Sequence, residues 1–336
     1  MRAVKNIHRI LPALLLLFAL GSPFNTAIAQ ARYPGREWDK ARSPETLGWS
    51  SQKLKLARRY SESTGSAAVM IVVDGVVKEG KLDLSRTLEE LGIDDGPPKL
   101  TAEEKQARVI DLLKARSGVY HPALGEIPAM QALRPQRGSH KPGTFWYYNN
   151  WDFNVLGTIF ERSTGTTIRE AFAARIARPL MMQDFRPQDV EYVRGEESVH
   201  PIFPFRMSAR DAARFGLLYL RKGEWQGARI VPEGWVEEST RSHSLLPEAG
   251  VFGTFGGYGY MWWVAVGGKQ YPSVDLREGA YSAHGYGGHF IVVIPHFNMV
   301  VVHRNDTERV GPDLDNEKIM ARFGALLRLI LESRLN

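Results

Sequence analysis

Cysteine is absent from all 336 residues. That excludes disulfides, a thiolate nucleophile, zinc sites built on cysteine and a lipid-modified cysteine near the N-terminus. Charge of one sign is also scarce. Lys and Arg number 43 against 37 Asp and Glu, and Arg2, Lys5 and Arg9 supply half of the +6 excess. What remains gives no electrostatic footprint for a nucleic acid. Long apolar runs are missing too. Ile10–Gly21 is about a dozen residues, too short to cross about 30 Å of hydrocarbon as a helix. With 43% hydrophobic and 24% charged residues, the chain is neither disordered, collagen-like nor a polytopic membrane protein. Its length fits two domains, or one larger domain with an insertion.

Residues 1–29 have the pattern of a secretory signal. A basic start (MRAVKNIHR) precedes the apolar run, and Ala27-Ile28-Ala29 is the small-x-small site that a signal peptidase needs. Cleavage leaves a chain from Gln30, expected to be periplasmic or secreted, with no stable membrane anchor.

Periodicity organises the rest. Helical spacing begins after Ser50 or Ser51 as cap, and Ala67–Val73 is a β-rich run ending at Asp74-Gly75, a hairpin signal. The returning strand does not follow. The chain passes directly into VVKEGKLDLSRTLEELGIDD, the pattern of a helix end, a glycine turn and a further helix. Residues 101–115 predict an amphipathic helix with Thr101 and Glu104 as capping box. Further helices are expected over 151–163, over 167–178 up to Pro179, from N-cap Ser208 to Arg221, and over 232–239. Strands are expected over 259–266, 279–284, 289–294 and 299–303, with a closing helix over 317–332. Consecutive short strands imply antiparallel pairing, with helices from both chain ends covering the sheet and a mostly helical middle.

Two segments carry chemistry. In KPGTFWYYNNWDFNVLGTIFERSTG (141–165), Tyr148 and Asn150 lie one residue apart, so in an extended loop both can face one cleft. A phenol whose pKa a nearby cation lowers can move a proton, and an amide can orient a carbonyl. The alternative is that the two only close the loop or cap the helix. In YSAHGYGGHFIVVIP (281–295), Gly285, Gly287 and Gly288 let backbone N–H groups approach a ligand, or simply form a bulged hairpin. His284, His289, His296 and His303 lie on strands or turns and no HExxH helix exists, so no metal is expected.

Taken in order, LGW…KL, GKLDLS, VIDLLKARSGV, the FWYYNNWDF block, MSARDAARFGLLYLRKGEWQGARIVPEGWV, YGYMWWV and AHGYGGHFIVVIP resemble the serine β-lactamase-related superfamily. Its members include penicillin-recognising enzymes, class C-type β-lactamases, esterases, D-amino-acid peptidases and 6-aminohexanoate-oligomer hydrolases. YGYMWW and GYGGH are most similar to the oligomer-hydrolase and carboxylesterase branch. The resemblance implies an α/β (α+β type) fold of a sheet lobe (about 45–80 and 250–336) and a helical lobe (about 81–249), in one domain from residue 30. It implies hydrolysis of a small or peptide-like amide or ester through an acyl-serine, without a cofactor. It assigns proton relay to Tyr148, substrate positioning to Asn150, and the third motif to Ala283-His284-Gly285, with the N–H of Tyr286 as oxyanion donor. Tyr120, Trp146, Tyr147, Gly287, Gly288 and His289 would line the pocket, with Trp262 and Trp263 as further wall residues.

One implied element is missing. In the family a Ser-x-x-Lys turn places an amine beside the nucleophilic hydroxyl. Ser50-Ser51-Gln52-Lys53 has this spacing but precedes the first strand, where Ser50 is better suited to capping. Where the family has a second strand and the nucleophile helix, roughly 30 residues are absent between Asp74-Gly75 and Lys78–Gly80. Ser117 in ARSGVYH has no lysine three residues after it, as Ser-x-x-Lys requires, and is expected to be a loop residue. The chain is then an impaired hydrolase or a non-catalytic binding protein.

Overall fold

Alternating apolar residues in the last third of the chain have two faces to bury, and the fold supplies a helical layer for each. A computed structural model describes residues 33–64, 66–72, 83–307 and 315–335. The elements in order are α1 (Ser51–Ser63), β1 (Ser66–Val72), α2 (Val109–Leu113), α3 (Pro128–Leu133), α4 (Asn150–Thr164), α5 (Ile168–Phe172) and α6 (Ala209–Leu220). There follow the ribbon β2 (Glu224–Trp225) and β3 (Ala228–Arg229), α7 (Glu233–Thr240), β4 (Ser244–Leu245), β5 (Gly257–Tyr258) and β6 (Trp263–Val264). The chain closes with β7 (Tyr281–Gly285), β8 (His289–Ile294), β9 (Met299–Asn305) and α8 (Asn316–Glu332). The expected leader and the gap at Asp74–Gly80 lie outside the described residues.

Seven strands pair antiparallel in the order β1-β9-β8-β7-β6-β5-β4. Phe290, Val292, Ile294, Met299 and Val301 point toward α1 and α8, packing with Phe323, Leu327 and Ile330. Val293, Val300 and Val302 point the other way, onto Ala213, Leu217 and Leu218 of α6. The period of two is thus read by two different helical layers. α6 approaches closely because Gly216 carries no side chain: a Cβ there would lie 2.6 Å from Val300 Cγ1 and 2.8 Å from Ile291 Cγ2. Ser208 caps α6 by accepting from the Asp211 N–H. The Asp211 carboxylate then accepts from the N–H groups of Gln183, Asp184 and Phe185. Among the described residues β9 is the sole partner of β1, which therefore stands at the sheet edge.

Three expectations differ from the structure. The capping box forms, with reciprocal Thr101–Glu104 hydrogen bonds, but the helix expected over 101–115 breaks at Ala107–Arg108. The Ala107 carbonyl accepts from Leu88 N–H and the Val109 N–H donates to Arg86, so tertiary pairing replaces the helical ladder. For the same reason residues 84–93 form turns, anchored by buried Leu88 and Ile93, where a helix was expected. The strand expected over 259–266 shortens to Trp263–Val264. In addition α6, within the stretch read as helical lobe, packs on the sheet.

Candidate functional site

The loop ahead of α4 is fixed from beneath. The Gly143 and Tyr147 N–H groups donate to the carbonyls of Arg116 and Ala115, at 2.8 and 3.0 Å. The Tyr147 hydroxyl donates to Met130 O at 2.8 Å, and Tyr120 meets His140 Nδ1 at 3.2 Å while its ring packs edge-on to Tyr147. Both rings are buried, and burial pushes Tyr147 up to about 12 and raises Tyr120.

Asn149, not Asn150, is the cap of α4. Its side-chain oxygen accepts from Trp151 N–H, and its amide donates to Val119 O at 2.8 Å and Asp152 Oδ1 at 2.9 Å. Trp151 is fully buried and donates from Nε1 to Asp95 at 2.6 Å. Asp95 also accepts from Ser198 and from the N–H groups of Gly96 and Val199. Asp152 is fully buried and its Oδ2 has no hydrogen-bond partner. Desolvation raises its pKa well above the carboxylate range, outweighing the opposing influence of Ser117 and Asn149 beside it. Ser117 is enclosed and accepts from Val119 N–H at 3.0 Å.

Because Asn150 opens the helix, it and Tyr148 do not share the orientation expected of an extended loop. Asn150 Nδ2 lies beside Gly125, 3.2 Å from where a Cβ would stand. Tyr148 lies among Phe153, Phe252, Tyr258 and Trp263, at ring distances of 5.0 to 6.1 Å. Burial pushes its phenol up to about 12, the reverse of the cation-lowered value expected of a proton relay. Trp146 packs on Tyr258 and Trp263. Trp262, one residue away, faces the α6 side and packs on Tyr219.

Trp263 is the hinge of the arrangement. It tilts over Tyr148 at 5.1 Å and stacks on His284 at 5.1 Å, so one indole connects the two segments singled out in the sequence. His284 Nε2 lies 2.8 Å from both Ser282 Oγ and Tyr271 Oη. Gln270 and Tyr271 both donate to Ser282 Oγ, which leaves the serine proton for His284 Nε2. Burial lowers His284 to about 3, keeping the ring neutral. The neighbouring Ala283 faces α6, packed against the core on that side.

The three glycines make the turn of the β7–β8 hairpin. Gly285 pairs with His289, and Gly287 and Gly288 take φ +77° and +83°, conformations in which a side chain would be strained. Tyr286, at its tip, is 65% exposed. From β9, His303 Nδ1 lies 2.7 Å from Gly288 O, and Asn305 Nδ2 donates to Gly287 O at 2.7 Å. His303 Nε2 meets Ser66 Oγ at 2.7 Å. Since a carbonyl only accepts, Nδ1 carries the proton and Ser66 donates to Nε2. Burial lowers His289 to about 4, and its Nδ1 accepts from Asn305 N–H.

Ser50 and Lys53 do not form a nucleophile pair. Ser50 Oγ accepts from Lys53 N–H as the cap of α1, and Lys53 Nζ donates to Glu332 O at 2.8 Å. Among the described residues no group of three His, Asp or Glu could hold a metal ion. The sequence reading passed over Asn149, Asp152 and the Tyr271–Ser282–His284 chain. Asn-x-x-Asp at a helix start was the available signal for the first two.

Residues 65–313 match the model of the Beta-lactamase family. Among solved structures, a protein assigned as a 6-aminohexanoate-dimer hydrolase from Bacillus anthracis is 19% identical, with TM-score 0.53 over 90% of this chain and 86% of that one. A protein assigned as a β-lactamase from Bacteroides dorei is 14% identical, with TM-score 0.60 over 85% and 99%. A β-lactamase from Mycobacterium bovis is 18% identical, with TM-score 0.50 over 83% and 100%.

Proposed function

The chain belongs to the Beta-lactamase family, and from that premise we propose that it is a serine-hydrolase-type protein for a small amide or ester, with acylation strongly impaired. The carrying observation is the state of the groups that acylation needs. The sole Ser-x-x-Lys is spent on helix α1, with its amine on the Glu332 carbonyl. Ser117 is enclosed under Asn149 and Asp152. The Tyr148 phenol is pushed up to about 12, so at neutral pH it stays protonated and no phenolate is available as a base. The exposed Tyr286 turn supplies a surface on which an aromatic or amide ligand can still rest.

Incubation with a fluorophosphonate and with penicillin, followed by intact mass, tests this. Less than a few per cent adduct after hours is expected. A stoichiometric adduct within minutes would refute the impairment, and peptide mapping would then name the serine. Saturable binding of a cell-wall peptide without any adduct would support the second reading, a non-catalytic binding protein; the spent Ser-x-x-Lys favours that reading. Sequencing the gene between the codons for Gly75 and Glu79 separates a deleted enzyme from an intact one, since an in-frame Ser-x-x-Lys there would restore the nucleophile. Export to the periplasm or medium is part of the proposal. Cell fractionation should find the chain there, shortened at Ala29.

A further inference from the structure

A cleft of about 550 Å³ opens where the start of α1, the end of α8 and the loop 273–277 meet, away from the Tyr148–His284 region. Its size is that of a small-molecule site. Four cations line it, Lys53, Arg277, Arg328 and Arg334, against two carboxylates, Asp275 and Glu332. Both carboxylates are already engaged: Asp275 pairs with Arg277 at 3.3 Å and Glu332 with Arg328 at 3.1 Å. Lys53 forms no ion pair with a carboxylate among the described residues, and its amine donates to a helix-end carbonyl. Arg334 is held 4.1 Å over the Phe297 ring, and no carboxylate among the described residues pairs with it. Two positive charges are thus left over in one concave surface, which concentrates their field.

The walls are fixed. Ser50 N–H donates to Ser333 O and Leu335 N–H to Gly48 O, both at 2.7 Å, so the segment carrying Arg334 is stitched to the segment carrying Lys53. Across the cleft, Ser273 and Arg277 hold φ +64° and +68°, left-handed conformations that cost energy outside glycine and cluster where ligands are clamped. Phe297 and Leu331 give the floor an apolar patch beside the charge. A guanidinium stacked on a ring keeps its N–H fork free for an oxyanion.

We propose that this cleft binds an organic oxyanion with a short apolar tail, the headgroup on Arg334 and Lys53 and the tail on Phe297 and Leu331. The site is independent of acyl transfer. Isothermal titration of the full chain with sodium octanoate, octyl phosphate and octanol tests it. Both anions are expected to bind and octanol is not, with binding weakened several-fold between 50 and about 300 mM salt. Stronger binding of one anion identifies the preferred headgroup. R334Q and K53Q should each weaken octanoate at least about fivefold, with unchanged circular dichroism showing that they fold. On the wild-type chain, hydrogen exchange should slow in 273–277 and 328–335 on adding octanoate. Equal binding of octanol and octanoate, no heat with either anion, or protection confined elsewhere would overturn the proposal.

Discussion

The imidazole of His284 is enclosed by Trp263, Tyr271 and Phe290 at ring distances of 5.0 to 5.5 Å, and burial lowers it from 6.5 to about 3. A histidine depressed in the folded state contributes stability that is complete above its unfolded value and is lost as pH falls toward its folded value. The window here runs from pH 6.5 down to about 3. At 1.36 kcal/mol per unit, the loss attributable to this one ring is about 2 kcal/mol at pH 5 and approaches about 5 kcal/mol near pH 3. That is a large share of the roughly 5–15 kcal/mol that holds a domain together. H284Q removes the titration and keeps an acceptor for the Ser282 hydroxyl. Urea unfolding at pH 8 and pH 5 gives a stability drop for each protein. The drop should be about 2 kcal/mol smaller in H284Q, whatever the variant costs at pH 8, because losses common to both pH values cancel. Identical drops, or an NMR titration of this imidazole near 6.5, would refute the reasoning.

Asp152 gives the opposite sign. Its folded pKa is raised, so its stabilising share is present below about 3.9 and is lost as pH rises. The melting temperature of D152N relative to wild type should therefore increase from pH 4 to pH 7; a flat difference would show that the carboxyl titrates normally. N149A removes the cap of α4 and leaves the Val119 carbonyl unpaired, so denaturation should show a loss of about 2–3 kcal/mol, against less than about 1 for N150A. G216A should cost about 1–3 kcal/mol by the same assay, since the clash with Val300 and Ile291 outweighs the helix propensity of alanine.

The parts of the fold legible in the sequence are those whose pattern is satisfied locally. Ser208 caps α6 as its spacing implies, β8 occupies the run His289–Ile294, and α8 closes the chain within a residue of its predicted start. Residues 101–115 were not legible because the partners that unwind them, Arg86 and Leu88, lie outside any helical window. The family resemblance located the two chemical segments, but the directions of their side chains depend on one residue of register. Starting α4 at Asn150 makes Asn149 the cap and places Tyr148 among rings rather than beside Asn150. Nothing in a local pattern distinguishes those two arrangements. The Tyr271–Ser282–His284 chain was hidden for a different reason: Ser282 and His284 share one face of β7, but Tyr271 joins them from the preceding loop, around a single buried hydroxyl.

The last strand grips the glycine hairpin through two consecutive carbonyls, one held by His303 and one by Asn305. Those peptide planes cannot rotate without breaking both grips, so the amide of the adjoining Tyr286 rides on a stiff mount. Under the proposed function, a ligand resting at that tip would have to adapt to it, the hairpin acting as a fixed gauge for shape rather than a flap that folds over its guest.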